Sequence, residues 1–307
     1  MNGKVKGTAL VLAAAFLWGI MGVFIRNLHS AGLSNFDITF CRCVLSGAGY
    51  FIITYLKNKS ALKVDLKGLI ICFLFGMTVY GISFLSYNVA VQHIPMGIAT
   101  VLIFMSPIWV SLLGRFVFKD KLDKYKYTMI AICVLGAILA ANLIGSIGGS
   151  IDFIGIFAAL FNGIGMALQI MVPRYFEEKY DCDTMIMYGF IGSAIMLSFG
   201  ADFGNIYTQV LGSGNISVLI DILIVSLACT MLANSWYTKA PKYIGSVSTS
   251  MLAAMEVVGG ILAGYIIFNE ILLLSQWIGI VIIISSVIAF RWERKNKSVL
   301  EIQDIPQ

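Results

Sequence analysis

The sequence predicts an all-α polytopic membrane protein: ten transmembrane helices arranged as two inverted repeats of five. Three observations carry the prediction. The 307 residues are 59% hydrophobic and only 12% charged, with a mean hydropathy of +0.90; an average soluble domain is about 25% charged. The apolar residues gather into runs of about 20, the helix length that crosses roughly 30 Å of hydrocarbon. Basic residues gather at alternate ends of those runs.

In order, the runs cover about 7–26, 36–56, 68–91, 95–118, 126–144, 153–172, 184–203, 216–237, 244–268 and 273–291. Polar connections separate them: LKNKSALKVDLK after the second, KDKLDKYK after the fourth, GSIGGSID after the fifth and GNIYTQVLGSGN after the seventh. β-barrel strands would be about half as long and would alternate in polarity; these runs do neither. The first run reads as a span and not a removable leader, because another span follows at once. Of the 21 Lys and Arg, all but Arg26, Arg42 and Arg115 fall in the N-terminus, the tail or connections after even-numbered runs. By the positive-inside rule both termini are cytoplasmic and the membrane is the cell (inner) membrane.

Shifted by 150 residues, the chain aligns with itself. Ile94 meets Ile244, Leu102 meets Leu252, Gly114 meets Gly264, Phe118 meets Phe268, and Asp120 meets Glu270. The halves are residues 1–144 and 153–291, followed by a cytoplasmic tail, 292–307. Five spans is an odd number, so the copies enter the membrane in opposite orientations. That layout is common in secondary transporters, with the binding site near the midplane where the repeats meet.

The repeated unit reads HIPMGIATVLIFMSPIWVSLLGRFVFKDKL in the first half and KYIGSVSTSMLAAMEVVGGILAGYIIFNEIL in the second. With Trp18-Gly19 and Arg42, it resembles the EamA family of the drug/metabolite transporter superfamily over residues 7–291. The resemblance implies ten helices around a central cavity that carries a small metabolite by alternating access. Family cargoes include amino acids, carboxylates, nucleotide precursors, choline-like cations and drugs. The chain departs from the pattern where Val257 stands in place of a proline after Glu256, and Lys119-Asp120 in place of a glutamate. Gly259 and Gly260 are then the expected break in the ninth span, and Ser106-Pro107 the break in the fourth.

Polar and aromatic residues recur at helical spacing, marking inward faces. They are Tyr80, Phe84, Tyr87 and Asn88; Asn162, Met166 and Gln169; Ser226, Thr230, Asn234 and Tyr237, with Trp236 beside them; and Thr249, Ala253, Glu256 and Gly260. Trp18 sits among small residues that leave room beside its ring. The fifth and tenth runs lack such stripes and are expected outside the cavity. Each stripe has a plain packing alternative, since Ser, Thr and Asn also hydrogen-bond between helices.

Glu256 lies 12 residues, about 18 Å, from either end of its run. A carboxylate there costs on the order of 3 kcal/mol against lipid. Three roles fit: counter-charge for a substrate amine, a proton-binding group in coupling, or a protonated structural carboxyl. Arg42 either pairs with Asp37, Asp202 or Asp221, as a bridge or outer gate, or meets a substrate carboxylate. Arg115 is expected to snorkel to the headgroups, and Asp120 and Glu270 to make terminal structural contacts.

Other classes lack their chemistry. His29 and His93 fall in outer turns, far from any central nucleophile, and no G-x-x-x-x-G-K-[ST] loop is present. Cys41, Cys43, Cys72, Cys133, Cys182 and Cys229 are read as small hydrophobes, not as metal ligands or disulfides. No cofactor, metal or nucleic acid is expected; the partners are a small molecule, membrane lipid and a coupled proton. The reading is a secondary transporter, an exporter of a metabolite such as an amino acid. The alternative is a carrier for a choline-like or drug-like cation, caged by Glu256 with Trp18, Tyr80, Tyr87 and Trp236.

Overall fold

The computed structural model describes residues 3–57, 59–94, 102–120, 123–140, 152–212, 214–269 and 271–303. All regular structure among them is helical. The main helices are α1 (Gly3–Ser30), α2 (Asn35–Lys57), α3 (Leu66–Gly76), α4 (Ser83–His93), α5 (Ser106–Val117), α6 (Lys124–Ala140) and α7 (Phe153–Phe176). They continue as α8 (Cys182–Leu197), α9 (Ile216–Leu223), α10 (Ala233–Lys239), α11 (Ser246–Ala253), α12 (Met255–Phe268) and α13 (Leu274–Gln303). Among the described residues six stretches are long and apolar enough to cross a membrane: Gly3–Ser30, Asn35–Lys57, Leu66–Tyr87, Phe153–Phe176, Ile216–Ile244 and Ser246–Ile267. Cys182–Leu197 and Leu274–Phe290 are apolar but shorter.

Side-chain caps set several starts. Asp152 accepts from the Ile154 N–H (2.8 Å), Asp181 from Asp183 (2.9 Å) and Asn215 from Ser217 (3.1 Å), satisfying donors that a first turn leaves open. α5 starts differently, with Pro107 in its first turn, where the missing N–H costs nothing.

The 150-residue offset of the sequence reappears in three backbone irregularities. α3 passes into α4 through a π-helical segment, Met77–Ile82, and α9 passes into α10 through another, Ile224–Leu232. The chain turns at Phe104 and Met105 ahead of α5, and at Ala254 between α11 and α12. The two positive-φ residues other than glycine among the described residues are Lys119 (φ 56°) and Asn269 (φ 52°). Asp120 N–H returns to the Gly114 carbonyl (3.0 Å), and Asn269 N–H returns to that of Gly264. Each is a left-handed C-cap that satisfies a terminal carbonyl. Glu270 lies outside the described residues.

The halves interlock. α1 packs on α12 and α10, α2 on α8 and the second π segment, α3 on α8, α4 and α5 on α7, and α6 on α13. The α6–α13 pair meets backbone to backbone at Gly136, Ala140 and Gly279 and packs chiefly on itself, at the periphery. α2 turns one face, Arg42, Ser46 and Tyr50, onto the second π segment. Ser46 donates to the Ser226 carbonyl (2.8 Å) and Tyr50 to that of Met231 (3.0 Å). A π turn loosens the helical ladder, and buried carbonyls need partners; α2 supplies them.

Candidate substrate-binding site

The break at Ala254 positions Glu256. α11 ends at Ala253, Ala254 bends the chain (φ −57°, ψ −18°), and Val257 N–H reaches back only to the Ala254 carbonyl, 3.1 Å away. Glu256 therefore occupies the first turn of α12, where the helix dipole favours an acid. The break corrects one expectation. Gly259 and Gly260 do not interrupt the helix; α12 runs through them unbroken. Their lack of side chains serves packing: a Cβ on Gly19 of α1 would stand 2.9 Å from the backbone of both.

Three aromatic residues are linked to this region, Trp18, Tyr237 and Tyr87. Trp18 meets Tyr237 edge to face, with centroids 5.0 Å apart. Tyr87 and Tyr237 both lie within electrostatic range of Glu256. The carboxyl is half-buried and has no hydrogen-bond or ion-pair partner among the described residues. The Tyr237 hydroxyl lies beside Ser250, fully buried, without a well-formed hydrogen bond. Ser106, at the start of α5, faces Ser250 at 3.4 Å, so α5 and α11 meet close to both breaks.

A buried polar chain crosses between the halves. Arg42 Nε donates to Thr230 Oγ1 (2.9 Å), and Thr230 Oγ1 donates to the Val225 carbonyl (2.7 Å). Asn234 Nδ2 donates to the Thr230 carbonyl (2.6 Å), and Gln169 Nε2 donates to Asn234 Oδ1. The Arg42 guanidinium lies 4.7 Å over the Phe84 ring. Phe84 and Tyr87, three residues apart, share one face of α4; Arg42 lies against Phe84, and Tyr87 is within electrostatic range of Glu256.

Among the described residues Arg42 pairs with neither Asp221 nor any other carboxylate. Thr230, its partner, is nine residues beyond Asp221, about 13 Å along the helix. Asp37 is spent on Ser34 N–H, Asp202 N–H and the Asn205 amide. Asn162 uses its amide on the Ser83 carbonyl (2.6 Å) and hydroxyl (3.2 Å), pinning the end of the first π segment. Tyr80 is packed away, stacked on Phe190 at 4.1 Å and edge-on to Phe75. Trp236 sits half-buried at the edge of the core that holds Trp18 and Tyr237. Pro107 lies in the first turn of α5, just after the turn at Phe104 and Met105. The Asn88 side chain lies outside the described residues. Thr230, Ser106 and Ser250 were not singled out from the sequence as site residues, although Thr230 lies on a stripe it displays.

Glu256 thus stands at a helix break between the interlocked halves, with no partner among the described residues. A crystal structure with a TM-score of 0.69 shares the fold over 93% of this chain and 96% of its own, at 12% identity. The chain belongs to the EamA-like transporter family, whose model matches it twice, over residues 5–142 and 153–292. It is thus a multi-pass membrane transporter and not an enzyme. It is 27% identical to the uncharacterized inner membrane transporter YicL of Salmonella typhimurium, over 97% of this chain and 99% of that one. It is also 22% identical to an uncharacterized transporter of Archaeoglobus fulgidus, over 92% and 95%. The pseudopaline exporter CntI of Pseudomonas aeruginosa is 25% identical, over 55% of this chain and 59% of its own.

Proposed function

We propose that the protein is a secondary transporter exporting a small amine-bearing metabolite, an amino acid or a close relative, by alternating access. In this reading ten helices cross the inner membrane as two inverted five-helix repeats, residues 1–144 and 153–291, with both termini and the tail in the cytoplasm. The halves close alternately around Glu256, Trp18, Tyr87 and Tyr237, with Gln169 and Asn234 beside them. The observation that carries the reading is the unpaired carboxyl of Glu256 among aromatic rings. A half-buried acid with no partner among the described residues is costly, and a substrate ammonium relieves that cost. The same carboxyl is the exchange site for a coupled proton, since an incoming cation displaces one. Export is favoured by the relative named as an exporter.

The aromatic surround also suits a choline-like cation. Thermal-shift titration of purified protein with the twenty L-amino acids, glycine betaine and choline separates the two. A ligand raises stability by RT ln(1 + [L]/Kd). An amino acid should stabilise the protein, and Glu256→Gln should weaken that response at least tenfold. Stabilisation by choline alone moves the assignment to the cation carrier. Wild-type affinity in Glu256→Gln would remove the carboxyl from the site.

A further inference from the structure

We infer that Arg42 is the carboxylate-recognising group of this site, so that the cargo is a dipolar ion with its acid held by Arg42 and its amine by Glu256. The inference rests on the reading of Glu256 as the amine site and adds the second pole.

Arg42 is only 7% exposed, yet no acid among the described residues neutralises it. Its one hydrogen bond is from Nε to Thr230 Oγ1. The two terminal amino groups of the guanidinium have no acceptor among the described residues. Buried arginines are normally paired, because a guanidinium does not shed its charge and its desolvation is expensive. The contacts that do exist orient the group and leave its charge unmatched. Thr230 Oγ1 gives its proton to the Val225 carbonyl, so its lone pairs face Nε. The Phe84 ring covers one face of the guanidinium. Pinned at Nε and flanked by a ring, the fork keeps its outer edge free, and that edge matches a carboxylate through two parallel N–H···O bonds.

Placement supplies the second half of the argument. Arg42 and Glu256 are not in contact with each other. Phe84, which covers the Arg42 guanidinium, and Tyr87, which lies within electrostatic range of Glu256, stand one helical turn apart on one face of α4. Two opposite charges, each unpaired among the described residues, are complementary to a molecule carrying both signs. A lone cation would leave Arg42 unmatched, and a lone anion would leave Glu256 unmatched.

The test compares each stabilising L-amino acid with its methyl ester and its decarboxylated amine, by thermal-shift titration of the purified full chain. In the wild type the ester and amine should bind at least tenfold more weakly than the acid. Arg42→Gln should bring the acid down to the level of its ester and leave the ester unchanged. Arg42→Lys, which keeps charge without the fork, should recover only part of the difference. Equal binding of acid and ester by the wild type overturns the inference, and so does an unchanged acid-to-ester ratio in Arg42→Gln. If Arg42→Gln does not fold, the wild-type ratio alone decides. Amines and acids that bind equally, and are both lost in Glu256→Gln, leave the amine site standing and remove Arg42. No response to any amino acid or amine removes both.

Discussion

Replacing Gly19 by alanine tests the contact that sets α1 beside Glu256. The added methyl carbon would stand 2.9 Å from the Gly259 carbonyl carbon, the Gly259 Cα and the Gly260 nitrogen. Carbon atoms rest at about 3.5–4.0 Å, so α1 must retreat by roughly 0.6–1 Å. All three atoms are backbone, and no side chain can swing aside. Overpacking of this kind costs about 1–3 kcal/mol, or about 2–6 °C of melting temperature at roughly 2 °C per kcal/mol for a long chain. The retreat also draws Trp18, the adjacent residue, away from Tyr237 and the carboxyl. Gly22, one turn on, is the control: nothing lies within 4 Å of a methyl there. Alanine at Gly22 should be neutral or stabilising by up to about 1 kcal/mol, through helix propensity. Thermal melts of Gly19→Ala and Gly22→Ala in one detergent, each with and without a stabilising amino acid, make the comparison. Two variants that melt alike and bind alike would refute the backbone contact as the determinant of this wall.

Two further outcomes follow from the packing. Asn162→Ala strips the Ser83 carbonyl of its amide partner beside the first π segment, and should cost about 1–3 kcal/mol of thermal stability; an unshifted melt would show that the π segment needs no pin. Arg174 grips Asp120 with two bonds (2.6 and 3.0 Å), reaches Ser246 (3.2 Å) and borders a cavity of about 100 Å³ that Cys182 also lines. The Arg174–Asp120 pair is partly exposed, so screening holds it to about 1 kcal/mol. In a variant whose only cysteine is Cys182, Arg174→Ala should speed alkylation about fivefold; an unchanged rate would show that the pair does not guard the cavity.

Much of the helical layout was legible because burial in lipid leaves a blunt signal of long apolar runs with basic residues at alternate ends. The repeat was legible from a handful of aligned residues, and the structure gives them a physical content the letters do not state. Gly114 and Gly264 align because each supplies the carbonyl that a left-handed cap answers. Asn269 is a residue type that tolerates positive φ, whereas Lys119 carries no such mark. The π segments have no compositional signature at all. The break before Glu256 was placed at glycines because breaks are usually sought at Gly or Pro. The 150-residue offset held the better clue, since Ser106-Pro107 maps onto Glu256-Val257. Depth alone suggests an acid partner or a substrate carboxylate for Arg42; among the described residues α2 turns its Arg42–Ser46–Tyr50 face to a π segment, whose presence the sequence does not announce.

The offset also separates scaffold from chemistry. What recurs 150 residues apart is backbone: the matched π segments Met77–Ile82 and Ile224–Leu232, a break and a left-handed cap. On the proposed reading, two copies of one device, interlocked helix against helix, would supply the two near-equivalent packings that alternating access requires. What does not recur is charge. The position matching Glu256 is Ser106, a neutral hydroxyl facing Ser250, and the position matching Arg42 is Gly192, whose bare backbone lies against Phe73. A symmetric scaffold can exchange its two arrangements at little cost in packing. An acid in one half and a guanidinium in the other then break the symmetry, and they are the groups a dipolar cargo would bridge. On this argument, moving the acid to its matching position, by Ser106→Glu with Glu256→Ser, keeps the repeated backbone and disrupts the pairing of charges. A protein that folds and melts normally but no longer binds amino acids is the expected result, and one that binds them as the wild type does would show that the placement of the charges is immaterial.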